Sequence, residues 1–196
     1  MDIQLSMVLD FIANATPGCT DVYGRTPLHY CAFYLSFTGL EYLLSLLHFD
    51  VNAVDCLGQT ALTTALQFYQ THTVNDVQFI VTLLLQYGAN PNIGVPSPLM
   101  TAVIHKDLIL VELLLKFGAN PNYKIQEETL FPVGSSAVSL CTLLPMESQP
   151  FSDRDIQILW KLIQKSDAST VFHAIQKTSP SMKRIVMDLL AERSRI

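Results

Sequence analysis

The residues of this chain best suited to bind a metal or act as a nucleophile are four cysteines and five histidines. The cysteines stand at 19, 31, 56 and 141, with no close pair, so they form neither a zinc pattern nor a disulfide framework. The histidines, at 29, 48, 72, 105 and 173, fall in five separate regions and pair with no cysteine or serine in a recognisable constellation. Cys31 falls where a small buried side chain is wanted, and Cys56 falls in a turn that exposes it. Glu127 and Glu128 are adjacent in a loop and are not spaced for a shared acid/base role. Gly24, Gly58, Gly88 and Gly118 are each accounted for by a turn, which leaves no phosphate-binding loop. No catalytic residue, metal or cofactor is expected.

The elements that carry these residues are announced by two recurring phrases. Gly88-Ala89-Asn90-Pro91-Asn92 returns unchanged as Gly118-Ala119-Asn120-Pro121-Asn122, and each copy closes a leucine-rich segment. Such repetition points to stacked units. The second phrase opens a unit: Asp21-Val22-Tyr23-Gly24-Arg25-Thr26-Pro27-Leu28-His29 aligns with Asp55-Cys56-Leu57-Gly58-Gln59-Thr60-Ala61-Leu62-Thr63. Asp-x-x-Gly reads as a tight turn, Thr26 and Thr60 as N-caps, and Pro27 as the first helical residue. Weaker copies begin at Ser97 and Ser136. Second helices are predicted over 40–47, 76–87, 107–117 and 154–165, with Gly88 and Gly118 as stops and His48 as a poorer one. An amphipathic helix is predicted over 3–13, and a final pair over 168–177 and 180–193. Ile185, Val186, Leu189 and Leu190 form the apolar stripe of the last helix, with Lys183, Arg184, Arg193 and Arg195 facing solvent.

This pattern resembles the ankyrin repeat over nearly the whole chain, most strongly over 21–123. The family phrase Asp-x-x-Gly-x-Thr-Pro-Leu-His-x-Ala is matched from Asp21 to His29, with Cys31 in place of Ala. The resemblance implies an all-α solenoid of stacked helix-turn-helix units, with irregular third and fourth turns and capping repeats at both ends. The expected division is one domain over 1–196: an N-terminal cap 1–19, repeats 20–54, 55–93 and 94–123, a divergent repeat 124–166, and a C-terminal cap 167–196. His29 is expected to hydrogen-bond across neighbouring units, as that position does in the family. Irregularities lie in the longer second repeat around 68–75, the short turn before Ser97, the long segment Tyr123 to Ser135 and the loop Leu144 to Pro150. Tyr123 to Ser135 is the expected protruding or mobile loop.

The resemblance also implies a partner-binding strip along the concave side, made by turn tips and first helices. Transferred to this sequence, it comprises Tyr23, Tyr30, Phe33, Tyr34, Leu57, Thr64, Gln67, Phe68, Thr101, His105, Tyr123, Glu127 and Glu128. Tyr23, Tyr30, Tyr34 and Phe68 are the expected anchors, since aromatic residues dominate interface energetics. The expected partner is another protein, offering an extended segment or helix with basic and apolar residues. The expected role is that of an adaptor or scaffold. Its alternatives are a recruiting or regulatory arm of an enzyme complex such as a ubiquitin ligase, and a microbial effector acting on host proteins. Residues 167–196 supply no convincing leucine- and proline-rich box of the kind that would recruit such a ligase.

Composition narrows the classes further. Of 196 residues 49% are hydrophobic and 15% charged, yet no run reaches the roughly 20 apolar residues of a membrane span. Asp2 and Asp10, with no early Lys or Arg, argue against a secretory signal. Unpaired thiols suit an intracellular setting, cytoplasmic or nuclear. The net charge of −5 divides into −8 over 1–152 and +3 over 153–196, the wrong sign in the main body for nucleic acid. A solvated basic capping face is the expectation for 153–196, in preference to a phosphate or membrane site, and a self-association surface made by it is a further alternative.

Overall fold

The computed structural model describes residues 16, 18–46, 49–67, 69, 74–126, 131–143, 152–176 and 178–195. Among the described residues there are ten helices and no strand. The chain divides into two compact units, Met1–Pro98 and Leu99–Ile196.

The first unit holds α1 (Pro27–Phe33), α2 (Phe37–Ser45), α3 (Ala61–Gln67) and α4 (Val74–Gln86). Two hairpin-like pairs, α1 with α2 and α3 with α4, stack so that α1 lies on α3 and α2 on α4. The longest helix shows why: Val77, Ile80, Val81 and Leu84 of α4 recur at one face of a 3.6-residue period and are buried. Its thirteen residues exceed the nine of α2, so part of the second repeat's surplus length is helix.

The second unit holds α5 (Pro98–Ile104, entered from the last residue of the first unit), α6 (Leu108–Lys116), α7 (Ala137–Leu143), α8 (Asp153–Lys165), α9 (Ala168–Gln176) and α10 (Pro180–Arg193). Here α8 packs between α6 and α10, while α7 packs on α9. Within this unit a two-row order runs through the fourth helix pair into the last one.

Local chemistry ends and joins these helices as the sequence indicates. At Gly88, φ is 90°; its N–H bonds to Leu85 O, and that of Ala89 to Leu84 O. Gly118, at φ 87°, repeats both bonds with Leu115 and Leu114. This is a Schellman ending, in which the left-handed residue lets its own amide and the next one reach the last free carbonyls. The asparagines beyond it join neighbouring repeats. In the first unit Asn52 Nδ2 donates to Gly88 O at 3.2 Å, and Asn52 Oδ1 accepts from Asn90 N–H. In the second, Asn122 Oδ1 accepts from Asp167 N–H at 2.9 Å.

Cys31 packs as expected from its place in the repeat phrase. It is fully buried, and Gly39 on α2 makes room for it: a Cβ at Gly39 would lie 3.2 Å from Cys31 Sγ. Burial pushes the Cys31 thiol up to about 12, and that of Cys141 likewise. Neither is a thiolate at neutral pH.

Two expectations change and a third gains detail. The second helices start a few residues early in the first, second and fourth repeats, and α6 starts one late because Asp107 is its N-cap, accepting from Ile109 and Leu110 N–H. The segment Tyr123 to Ser135 is tied at its base: Ile125 N–H bonds to Ser135 O and Gly134 N–H to Ile125 O, and Ile125 is buried. Arg193 is half-buried and is not free in solvent. Its guanidinium donates to Ile163 O at 2.7 Å and Ser166 O at 2.8 Å, satisfying carbonyls at the C-terminal end of α8. Lys183, Arg184 and Arg195 are exposed as predicted. The helix over 3–13, His48 and the loop 144–150 lie outside the described residues.

The turn before Ser97 carries a steric constraint. Gly94 has φ 113°, and a Cβ there would collide with the Thr63 methyl, whereas at Gly88 it would meet open space. Gly88→Ala should cost about 1 kcal/mol from the left-handed backbone alone. Gly94→Ala should cost more, by about 1–3 kcal/mol of overlap, and Thr63→Ser should recover part of the difference. Urea denaturation of the variants checks this; equal midpoints for Gly88→Ala and Gly94→Ala would remove the collision from the account.

Candidate functional site

The two Asp-x-x-Gly turns of the first unit share one geometry. Asp21 Oδ1 accepts from Tyr23 and Arg25 N–H, both at 2.8 Å, and Gly24 sits at φ 75°. Asp55 Oδ1 accepts from Leu57 N–H at 2.8 Å and Gln59 N–H at 2.9 Å, with Gly58 at φ 71°. The turns touch through a backbone bond, Cys56 N–H to Tyr23 O at 2.9 Å. They hold Tyr23 and Leu57 out into solvent, Leu57 being 75% exposed.

His29 ties the helix behind the first turn to the second. Its Nδ1 accepts the Thr26 backbone N–H at 3.1 Å, and its Nε2 lies 2.9 Å from Gln59 O. A backbone N–H can only donate and a carbonyl can only accept, so the ring is neutral with its proton on Nε2. Burial holds its pKa below the ordinary 6.5. The same position holds Thr63 in the second repeat and Ser139 in the fourth; their hydroxyls accept from Thr60 and Ser136 N–H but reach no neighbouring repeat.

Between these turns and the first helices runs a groove of about 300 Å³. Six of the residues expected to meet a partner line it: Tyr30, Phe33 and Tyr34 from the α1 segment, Leu57 from the second turn, and Thr64 and Gln67 from α3. Phe33 and Tyr34 meet edge to face with centroids 4.8 Å apart. Tyr30 is held by its hydroxyl, which donates to Asp21 Oδ2 at 2.8 Å. Burial and this bond both raise its pKa. Burial works to raise the pKa of Asp21, but the donors around it hold the carboxyl below its usual value.

Sequence reasoning left Arg25 and Gln59 out of this site, and both line the groove. Arg25 lies 4.8 Å above the Tyr23 ring, a cation–π contact that places Tyr23 at the rim. Its position directly before the helix cap was the available signal, since the turn that exposes Tyr23 also points the residue two places on toward the same side. Gln59 Nε2 donates to Val95 O at 3.3 Å, which steadies the next turn. With Arg25 and Asp55 together the groove carries both signs of charge.

Thr101, His105 and Tyr123 belong to the second unit. Thr101 is buried, so its side chain is not offered to a partner, while His105 and Tyr123 are half-buried. Phe68, Glu127 and Glu128 lie outside the described residues. Among the described residues no group of three His, Cys, Asp or Glu is placed to hold a metal ion, and no helix is long and apolar enough to cross a membrane.

Comparison with known proteins decides the family. The family model described as ankyrin repeats (3 copies) matches residues 3–94 and 44–125. This chain belongs to the ankyrin repeat family. Its fold is the all-α ankyrin-repeat solenoid expected from the sequence. Among solved structures, the ankyrin repeat domain of Bcl-3, titled a unique member of the IkappaB protein family, is similar at 25% identity and TM-score 0.67, covering 96% of this chain and 77% of that one. An ankyrin repeat domain from Acinetobacter baumannii AYE is similar at 31% identity and TM-score 0.50, covering 56% of each chain. The human ASB11 ankyrin repeat domain shares the fold at 18% identity and TM-score 0.63, covering 94% of this chain and 78% of that one. Comparison with the curated proteins returned no match. Ankyrin repeat domains are in general modules for binding other proteins.

The His29 bridge has a pH consequence. Its folded-state pKa lies below the unfolded 6.5, so the unfolded chain takes up the proton first as pH falls. The stability it contributes is complete above pH 6.5 and is lost as pH drops below 6.5 through the depressed folded-state value. His29→Gln should cost about 1–3 kcal/mol at pH 7.5. It should also flatten the decline toward pH 5. Urea midpoints for both proteins over that range check it; parallel curves would show that His29 does not carry the dependence.

Proposed function

We propose that this chain is a non-catalytic adaptor or scaffold that holds a segment of a partner polypeptide in the groove of its first unit. The observation that carries this reading is the convergence of Phe33, Tyr34 and Leu57 with the polar side chains of Thr64 and Gln67 in one recess, on backbone already satisfied by the turns. An apolar surface with convergent polar groups, held by a rigid frame, binds without an ordering cost. Tyr23 at the rim and Tyr30 within complete the set. The ankyrin family supports a role in protein binding. In this reading the single array spans 1–196, with repeats at 20–54, 55–93, 94–123 and 124–166 between caps at 1–19 and 167–196, and it works inside the cell, in cytoplasm or nucleus.

The test is affinity capture with the intact chain, a Tyr34→Ala/Leu57→Ala variant and a Phe79→Ala control. Phe79 is 66% exposed on α4 and does not line the groove. A partner should be kept by the wild type and the control and weakened about 100-fold or more by the double variant. Equal retention by all three, with folding verified by circular dichroism, would place binding elsewhere.

A further inference from the structure

The two turns differ in one feature that bears on what the groove accepts. In the first, both carboxylate oxygens of Asp21 are used, Oδ1 by two backbone amides and Oδ2 by the Tyr30 hydroxyl. In the second, Thr64 stands where Tyr30 stands in the first, four residues after the capping threonine. The Thr64 hydroxyl turns back to Thr60 O at 2.9 Å. Asp55 Oδ1 keeps its two amides, and its Oδ2 takes no hydrogen bond among the described residues. The second turn thus opens one anionic oxygen to the groove.

Arg25 supplies the opposite sign. Its guanidinium lies over the Tyr23 ring and forms no ion pair among the described residues. A stacked guanidinium is pre-organised, and its N–H donors fit a carboxylate. Asp55 and Arg25 both line the recess that also holds Leu57, Phe33 and Tyr34.

We infer that the groove takes a polypeptide segment in which an apolar or aromatic side chain is flanked by one acidic and one basic side chain, the acidic group meeting Arg25 and the basic group meeting Asp55. This rests on the groove being the partner site. It narrows the partner from a basic and apolar segment to one carrying both charges in a set order. Opposite charges on the two walls also fix the direction in which a segment lies, because the reversed segment would set like charges together.

The experiment selects a random peptide library displayed on phage against the full chain, then measures fluorescein-labelled selected peptides by anisotropy. Arg25→Glu reverses a charge that lies over the Tyr23 ring and also acts on Asp21, so folding of the variant is verified by circular dichroism. Asp55→Asn keeps an oxygen for the Leu57 and Gln59 amides and removes the charge. Selected peptides should carry both charges around an apolar residue. Arg25→Glu should weaken them about tenfold or more, with recovery when the peptide's acidic residue is changed to Lys. Asp55→Asn should weaken them about threefold, and added salt should shrink both effects. If peptides lose affinity on Tyr34→Ala/Leu57→Ala but ignore both charge variants, or bind as well without either charge, the charge pairing is overturned and the groove stands. An empty selection, or peptides indifferent to Tyr34→Ala/Leu57→Ala as well, overturns the groove with it.

Discussion

Backbone pairing between successive turns is the interaction on which the rest of this molecule depends. Its helices run from seven to fourteen residues, mostly too short to persist alone in water. Each must be held by its neighbours, and the neighbours must be held in register. In the first unit that register comes from four bridges: Cys56 N–H to Tyr23 O, His29 Nε2 to Gln59 O, Gln59 Nε2 to Val95 O, and Asn52 to both Gly88 O and Asn90 N–H. All four use fixed backbone groups, so a repeat cannot slide without leaving polar groups unpaired, those of the His29–Gln59 bond being buried. Hydrophobic burial supplies the driving force, as in Leu28, Leu43, Leu62 and Leu84, but burial alone sets no register.

Once the turn backbone is satisfied from within, the side chains above it are released from structural duty. Asp21 and Asp55 perform the same internal task with Oδ1, and this leaves Oδ2 free to differ. In one turn it clamps Tyr30; in the other it takes no hydrogen bond among the described residues. The same economy appears in the second unit, where Ile125 makes the closing bonds that Asp21 and Asp55 make, N–H to Ser135 O and O to Gly134 N–H. The chain between them is longer, yet the closure is unchanged, so the fourth repeat keeps its frame while its turn lengthens.

The legible part of the sequence was the part whose cause is local. Gly88 and Gly118 stop helices because only glycine enters the left-handed region at no cost, and Thr26 with Pro27 starts one for reasons contained in a few residues. Two other features depended on distant chain and gave no such signal. Arg193 looks like one of several solvent-facing cations until α10 is laid against α8, when its guanidinium finds Ile163 and Ser166 carbonyls. Ile125 looks like one apolar residue in a long insertion until its partners Gly134 and Ser135 are seen ten residues on.

The groove divides along the same line. The ankyrin resemblance pointed to the strip on which Tyr30, Phe33, Tyr34, Leu57, Thr64 and Gln67 stand; repetition and helical period determined the repeat pattern and the order of helices. These follow from short-range rules read letter by letter. Only the tertiary structure decided that Arg25 joins them, that Thr101 is buried and that Asp55 keeps a free oxygen where Asp21 does not. The reason is physical: a side chain's type follows from its position in the sequence, but its free valences are what remains after neighbouring repeats have taken their bonds.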